Sequence, residues 1–130
     1  MKIGVIGAGF VGLTTAIGFA HKNFNVNCYE IDKKKRDFLK KSKIPFHEPY
    51  LQDYLVKYNN KTINFSENLK NFIELNLDAI FICVGTPSNK DGSCNIDTLE
   101  KLIKDLSNIN FRKSTCLIVK STIPPGTCDK

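Results

Sequence analysis

Three glycines near the amino terminus, Gly7, Gly9 and Gly12, stand in the spacing Gly-x-Gly-x-x-Gly within Gly7-Ala8-Gly9-Phe10-Val11-Gly12. That spacing suits the close approach of a backbone to a pyrophosphate. The first glycine permits a tight turn, the second leaves room for the phosphates, and the third lets a helix pack closely on a strand. A helix opening there turns its free N–H groups and the positive end of its dipole toward the anion. Glycine is common, so the pattern alone says little. Its context says more: it follows the apolar run 2–6, opens a helical pattern, and Glu30 lies 18 residues past Gly12.

An acid at the end of a second strand can accept hydrogen bonds from both ribose hydroxyls of an adenosine, and it repels a 2′-phosphate. The expected cofactor is therefore NAD rather than NADP. The run Lys33-Lys34-Lys35-Arg36 is the counter-signal, although such a run on a helix face is ordinarily solvated. Within it, Lys35 is the residue placed nearest the adenosine ribose. Gly85-Thr86-Pro87 and Ser121-Thr122-Ile123-Pro124 end two later strand-like runs. They fall on the carboxyl edge of the sheet, where open α/β folds bind ligands. The Thr86 hydroxyl is a candidate cofactor contact, an ordinary turn being the alternative, and Thr122 is expected toward the nicotinamide end. His47 and Glu48, flanked by Pro45 and Pro49, have acid–base chemistry. They are read as a fixed loop with a helix-capping acid, and His21 as a dipole partner at a helix end.

Alternating strands and helices must position these residues, which calls for a parallel sheet covered on both faces. Strands are expected over 2–6, 25–30, 62–65, 79–84 and 115–119. Leu13, Ala16, Ile17 and Ala20 share one face of the first helix, and Leu99, Leu102, Ile103 and Leu106 one face of the last. Asp32 caps a polar helix over 33–41. Pro49 falls in the first turn of a helix bearing Leu51, Tyr54, Leu55 and Tyr58. Ser66 is the expected cap of the next segment, and Asp97 with Glu100 forms a capping-box pattern. The alternation calls for another crossover beyond Lys130. The expected fold is thus a Rossmann-type α/β domain over residues 1–130, truncated before the sixth strand and without a substrate-binding domain.

With 130 residues, 42% of them hydrophobic and 25% charged, the chain fits one soluble globular domain. The net charge of +6 comes with no aromatic stacking motif or recognition helix, so no nucleic-acid partner is expected. The uncharged run 3–20 imitates a signal peptide or membrane helix, but five glycines and two threonines weaken its hydrophobic case. No membrane partner is expected, and the location is read as cytoplasmic. The five cysteines contain no C-x-x-C pair and no metal-like spacing, and are read as reduced thiols without a metal site.

Four segments together resemble the NAD-binding domain of the UDP-glucose/GDP-mannose dehydrogenase family. They are residues 2–12 (KIGVIGAGFVG), 44–51 (IPFHEPYL), 81–92 (FICVGTPSNKDG) and 120–127 (KSTIPPGT). The segments IPFHEP and VGTPSNKDG favour the UDP-glucose branch, while the GDP-mannose branch has a closely similar VGTPS segment. The resemblance implies an NAD-dependent enzyme that oxidises C6 of a nucleotide sugar from alcohol to carboxylate, and a homo-oligomeric full-length protein. It implies cofactor contacts from Gly7, Ala8, Gly9, Phe10, Val11, Gly12, Glu30, Lys35, Gly85, Thr86 and Thr122. It also places Thr122 near the reaction centre, where it helps hold a catalytic water. The family often has Asp at the position of Glu30. Its nucleophilic cysteine, in a G-G-S-C-like segment, has no counterpart here, and of the five cysteines only Cys128 is worth checking. By itself the chain is expected to hold cofactor without completing the reaction. A reading of another class is a stand-alone nucleotide-sensing regulator, like the domains that gate potassium transport. Those share the strand–glycine–helix unit but lack the EP loop, VGTP and KSTIPPGT.

Overall fold

The computed structural model describes residues 1–111 and 114–129. Five parallel strands are joined by crossovers, as buried runs rich in Val, Ile and Phe require. They are β1 (Lys2–Ile6), β2 (Asn25–Tyr29), β3 (Ile63–Ser66), β4 (Ala79–Ile82) and β5 (Cys116–Val119). The sheet order is β3-β2-β1-β4-β5. The direction of winding reverses at β1, so the crevice between the carboxyl ends of β1 and β4 is the switch point where such sheets bind ligands. Val5 sits opposite Cys28 on one side and Phe81 on the other, which fixes the register of the three central strands.

Helices cover both faces. Alternate strand residues Ile3, Val5, Val26, Cys28 and Ile63 pack against α1 (Phe10–His21), α2 (Lys33–Lys40) and α3 (Leu51–Tyr58). Ile6, Ile80 and Ile82 face the other way, against α4 (Leu69–Ile73) and α5 (Asp97–Ser107). The strand period of two thus divides one apolar run between two cores. Among the described residues, no helix is long and apolar enough to cross a membrane.

The helix ends show where local chemistry overrides the sequence pattern. Asp32 caps α2 as expected, its carboxylate accepting the Lys35 amide at 3.1 Å. Asn68 caps α4 instead of Ser66, because Ser66 is still paired with Tyr29 in the sheet. At α5 the Asn95 side chain accepts the Asp97 amide at 3.0 Å, since Asp97 already lies inside the helix. Pro49 falls outside α3: Tyr50, at φ +65°, breaks the chain between them, and the Glu48 carbonyl rather than its carboxylate receives the Leu51 amide. His21 ends α1, and its Nδ1 meets the Tyr58 hydroxyl at 2.9 Å. Ile103, expected on the buried face of α5, is 40% exposed, and Leu99, Leu102 and Leu106 make that face without it.

The start of α1 rests on β1 with no intervening side chain. A Cβ at Gly12 would lie 1.8 Å from the Gly7 carbonyl oxygen, and one at Gly7 would lie 2.7 Å from the Cys83 carbonyl oxygen. Gly7 also has φ +88°, a conformation that other residues rarely adopt. Gly12→Ala must therefore push the helix off the loop. We expect it to cost about 1–3 kcal/mol as overpacking does, read as a clear fall in Tm by circular dichroism.

Candidate functional site

The glycine turn, the end of β2 and the loops after β4 and β5 surround one groove of about 520 Å³ at the carboxyl edge of the sheet. Of the residues expected to bind cofactor, Gly7, Gly9, Phe10, Val11, Glu30, Lys35, Gly85, Thr86 and Thr122 all line it. Ala8 and Gly12 lie behind it. Ala8 is fully buried with its N–H turned toward Glu30, and Gly12 is the packing contact of α1.

Gly9 carries the clearest sign of a ligand. Its backbone is ordinary, φ −72° and ψ −167°, so no conformational rule demands glycine. A side chain there would meet only the Lys35 ammonium, 4.0 Å away, and would otherwise project into the groove. The first bond inside α1 runs from the Leu13 amide to the Gly9 carbonyl, at 2.9 Å. The amides of Phe10, Val11 and Gly12 therefore have no helical partner, as at any helix start. Free amides, a dipole end and space kept clear of side chains together fit the pyrophosphate of a dinucleotide.

Glu30 is tied into the protein itself. The residue is buried, and its carboxylate is held by three protein donors. Oε2 accepts the Ala8 amide at 2.9 Å and the Lys35 ammonium at 2.9 Å, and Oε1 accepts the Asp32 amide at 3.1 Å. The acid thus ties the end of β2 to the glycine turn and to the cap of α2. A shorter Asp at this position would have less reach toward Ala8. Two donors fill the lone pairs of Oε2, which leaves one lone pair on Oε1 for a ribose hydroxyl. Arg36 takes no part in the groove; its guanidinium bonds the Glu30 carbonyl.

The loops after β4 and β5 are tied to one another. Thr86 Oγ donates to the Thr122 carbonyl at 2.8 Å, and Ser121 Oγ to the Val84 carbonyl at 2.7 Å. The Thr86 hydroxyl, a candidate cofactor contact, lines the groove and donates to Thr122. The sequence reading missed Ile31 and the inner face of α5. Ile31 is 78% exposed and lines the groove beside Glu30, opposite Leu102 and Lys101 of α5. An exposed Ile directly after the acid was a usable signal, whereas the groove side of α5 was hidden by its apolar stripe. Lys35, Lys101 and Lys120 against Glu30 and Asp105 leave the groove walls with a positive excess, suited to an anion.

His47 lies exposed in the loop before α3, outside the groove lining. That loop still touches the site, because Phe46 packs on Phe10 with ring centroids 5.6 Å apart. All five cysteines are free. Burial pushes the Cys28 thiol up, with Cys83 and Glu30 adding to the effect, and burial likewise raises Cys83, so neither is poised as a nucleophile. Cys128 is exposed in a short 3₁₀ turn, Thr127–Asp129, that does not reach the groove lining. Among the described residues, no group of three or more His, Cys, Asp or Glu side chains is arranged to hold a metal.

The brace has a consequence for stability. Glu30→Ala leaves the buried Ala8 N–H without an acceptor, which costs roughly 1–3 kcal/mol. We expect a fall of several degrees in the Tm of the free protein, measured by thermal melting; an unchanged Tm would show that the carboxylate does not hold the turn.

Three comparisons locate the chain among known proteins. Residues 1–130 match the UDP-glucose/GDP-mannose dehydrogenase family, NAD binding domain. The UDP-glucose 6-dehydrogenase of Rhizobium meliloti is 38% identical over 133 residues, covering 100% of this chain and 30% of that protein. YtcA of Bacillus subtilis, provisionally named a UDP-glucose 6-dehydrogenase, is 43% identical over 127 residues, covering 98% and 29%. The solved GDP-mannose dehydrogenase of Pseudomonas aeruginosa superposes with a TM-score of 0.91 at 29% identity, covering 99% of this chain and 30% of that one. The chain therefore spans less than a third of the length of these relatives. With the fold, the groove and the family match in agreement, the chain belongs to the UDP-glucose/GDP-mannose dehydrogenase family and corresponds to its NAD-binding domain.

Proposed function

We propose that this chain supplies the cofactor site of an NAD-dependent dehydrogenase that oxidises UDP-glucose to UDP-glucuronate. The single observation that carries the cofactor half of this reading is the cradle at Gly9. There the amides of α1 without a helical partner border groove space kept clear of side chains. The sugar half rests on the IPFHEP and VGTPSNKDG segments and on relatives named UDP-glucose 6-dehydrogenases. A GDP-mannose dehydrogenase is the second reading, favoured by the superposition on the Pseudomonas enzyme.

In this reading Gly7, Gly9, Phe10 and Val11 hold the pyrophosphate, and Glu30 with Lys35 holds the adenosine ribose. Gly85 borders the nicotinamide ribose. Thr122 stands at the nicotinamide end, where its hydroxyl helps order a catalytic water. When bound, NAD accepts the hydride released at C6 of the sugar. The nucleophilic cysteine and the sugar pocket belong to a second domain of the whole enzyme. The 130-residue chain should therefore bind cofactor without turning over a nucleotide sugar, and the whole enzyme is expected to be a homo-oligomer.

Calorimetric titration of the chain tests the reading. We expect NAD to bind more tightly than NADP, and Gly9→Val to weaken NAD by more than about a hundredfold, roughly 2.8 kcal/mol. Because Gly9 has open space around it and an ordinary backbone, the variant should keep the parental Tm. An unchanged NAD affinity in that variant would remove the pyrophosphate from the glycine turn.

A further inference from the structure

Past Glu30 the groove continues between the end of β2 and the inner face of α5. Tyr29 and Ile31 flank the acid in sequence, Leu69 opens α4 and Leu102 belongs to α5, and all four line the groove. Apolar walls of this kind suit a flat aromatic ring, and Ile31, 78% exposed, would lose water contact by covering one. Walls alone cannot tell one purine from another of the same shape.

The rim of this slot is charged. Thr98, Lys101, Leu102 and Asp105 recur at intervals of three and four along α5, so they share one face of the helix, and all four line the groove. Among the described residues, neither Lys101 nor Asp105 takes part in an ion pair. The hairpin before α5 fixes where the helix stands. Ser88 and Cys94 make an antiparallel bridge, the Asn95 amide donates to the Pro87 carbonyl at 2.8 Å, and the Asn95 side chain accepts the Asp97 amide at 3.0 Å.

A carboxylate only accepts hydrogen bonds, and an ammonium only donates them. Side by side, they match a ring edge that offers a donor next to an acceptor. Adenine has that order on both polar edges, with its N6 amine beside N7 on one and beside N1 on the other. Guanine and hypoxanthine carry O6 in place of the amine, and an oxygen there would face the carboxylate with no proton between them.

We infer that Asp105 and Lys101 read the base of the dinucleotide, Asp105 accepting from the N6 amine of adenine and Lys101 donating to the ring nitrogen beside it. The pair is thus a base-specificity determinant of the cofactor site. This rests on the reading above that the adenosine ribose lies at Glu30, since a base carried by that ribose falls in the slot beside Ile31.

The test compares NAD with nicotinamide hypoxanthine dinucleotide by calorimetric titration of the 130-residue chain. The two ligands differ only in the base, where an amine is replaced by an oxygen. We expect NAD to bind at least about fivefold more tightly, as one hydrogen bond to a charged group in an open site allows. Asp105→Asn, whose amide can turn its NH₂ toward O6, should bring the two within about twofold by weakening NAD and strengthening the analogue. Lys101→Met should weaken NAD about threefold or more. Both positions are exposed, so the variants should keep the parental Tm. A merely structural role would weaken both ligands alike.

A wild-type gap below about fivefold would overturn the inference, and so would a gap of the same size in Asp105→Asn. Unchanged NAD affinity in Lys101→Met would overturn the part given to the lysine. These results leave the cofactor reading standing. Failure of both dinucleotides to bind the wild-type chain would overturn the two together.

Discussion

The contact between the first turn of α1 and the Gly7 carbonyl governs the rest of the molecule. With no Cβ at Gly12, the helix start lies against the end of β1 at backbone distance. Displacing it by even one methyl group would carry the free amides of Phe10, Val11 and Gly12 away from the groove. The contact also brings the positive end of the helix dipole to the switch point between β1 and β4, where an anion can use it. Sheet order and loop chemistry would count for little if that helix stood further out.

Glu30 then fixes the turn from the opposite side. A buried carboxylate is costly unless it is bonded, and this one is met by two backbone amides and the Lys35 ammonium. The same ammonium stands 4.0 Å from where a side chain at Gly9 would begin, so one lysine borders both Glu30 and the glycine turn. Charge at this end of the groove is thus set by a pair. That qualifies the simple argument that an acid at this position excludes a 2′-phosphate by repulsion, because Lys35 offsets part of the negative charge.

Much of this was legible in the residues. The alternation of strands and helices, the glycine spacing and the distance to Glu30 all depend on local periodicity; they placed β1 and α1, and β2 to within one residue, and most of the residues they single out line one groove. Helix starts were harder to read. Ser66 has the chemistry of a cap but is held in the sheet beside Tyr29, and Asp97 lies inside α5, whose cap position is Ile96, while Asn95 accepts the Asp97 amide. In both cases the deciding fact was the register of a neighbouring segment. Thr86 shows the same limit at the site, since its type announced a hydrogen bond but not that the partner is the Thr122 carbonyl. The groove side of α5 became visible only once the sheet brought it to the site.

The two ends of the groove solve the same problem in different ways. At the glycine turn, donors are free because a helix start cannot satisfy its own amides. At the other end, the Thr122 carbonyl accepts from Thr86 and Cys94, which ties the loops after β4 and β5 together. Both arrangements exist before any ligand arrives, so binding need not reorganise the backbone, and the entropy of ordering those loops is already met in the fold. The hairpin between Pro87 and Asn95 contributes through this preorganisation. Its only bond outside its own turns and the start of α5, among those the described residues show, is the one from Cys94 to Thr122. A polar surface loop is thereby tied to the loop after β5.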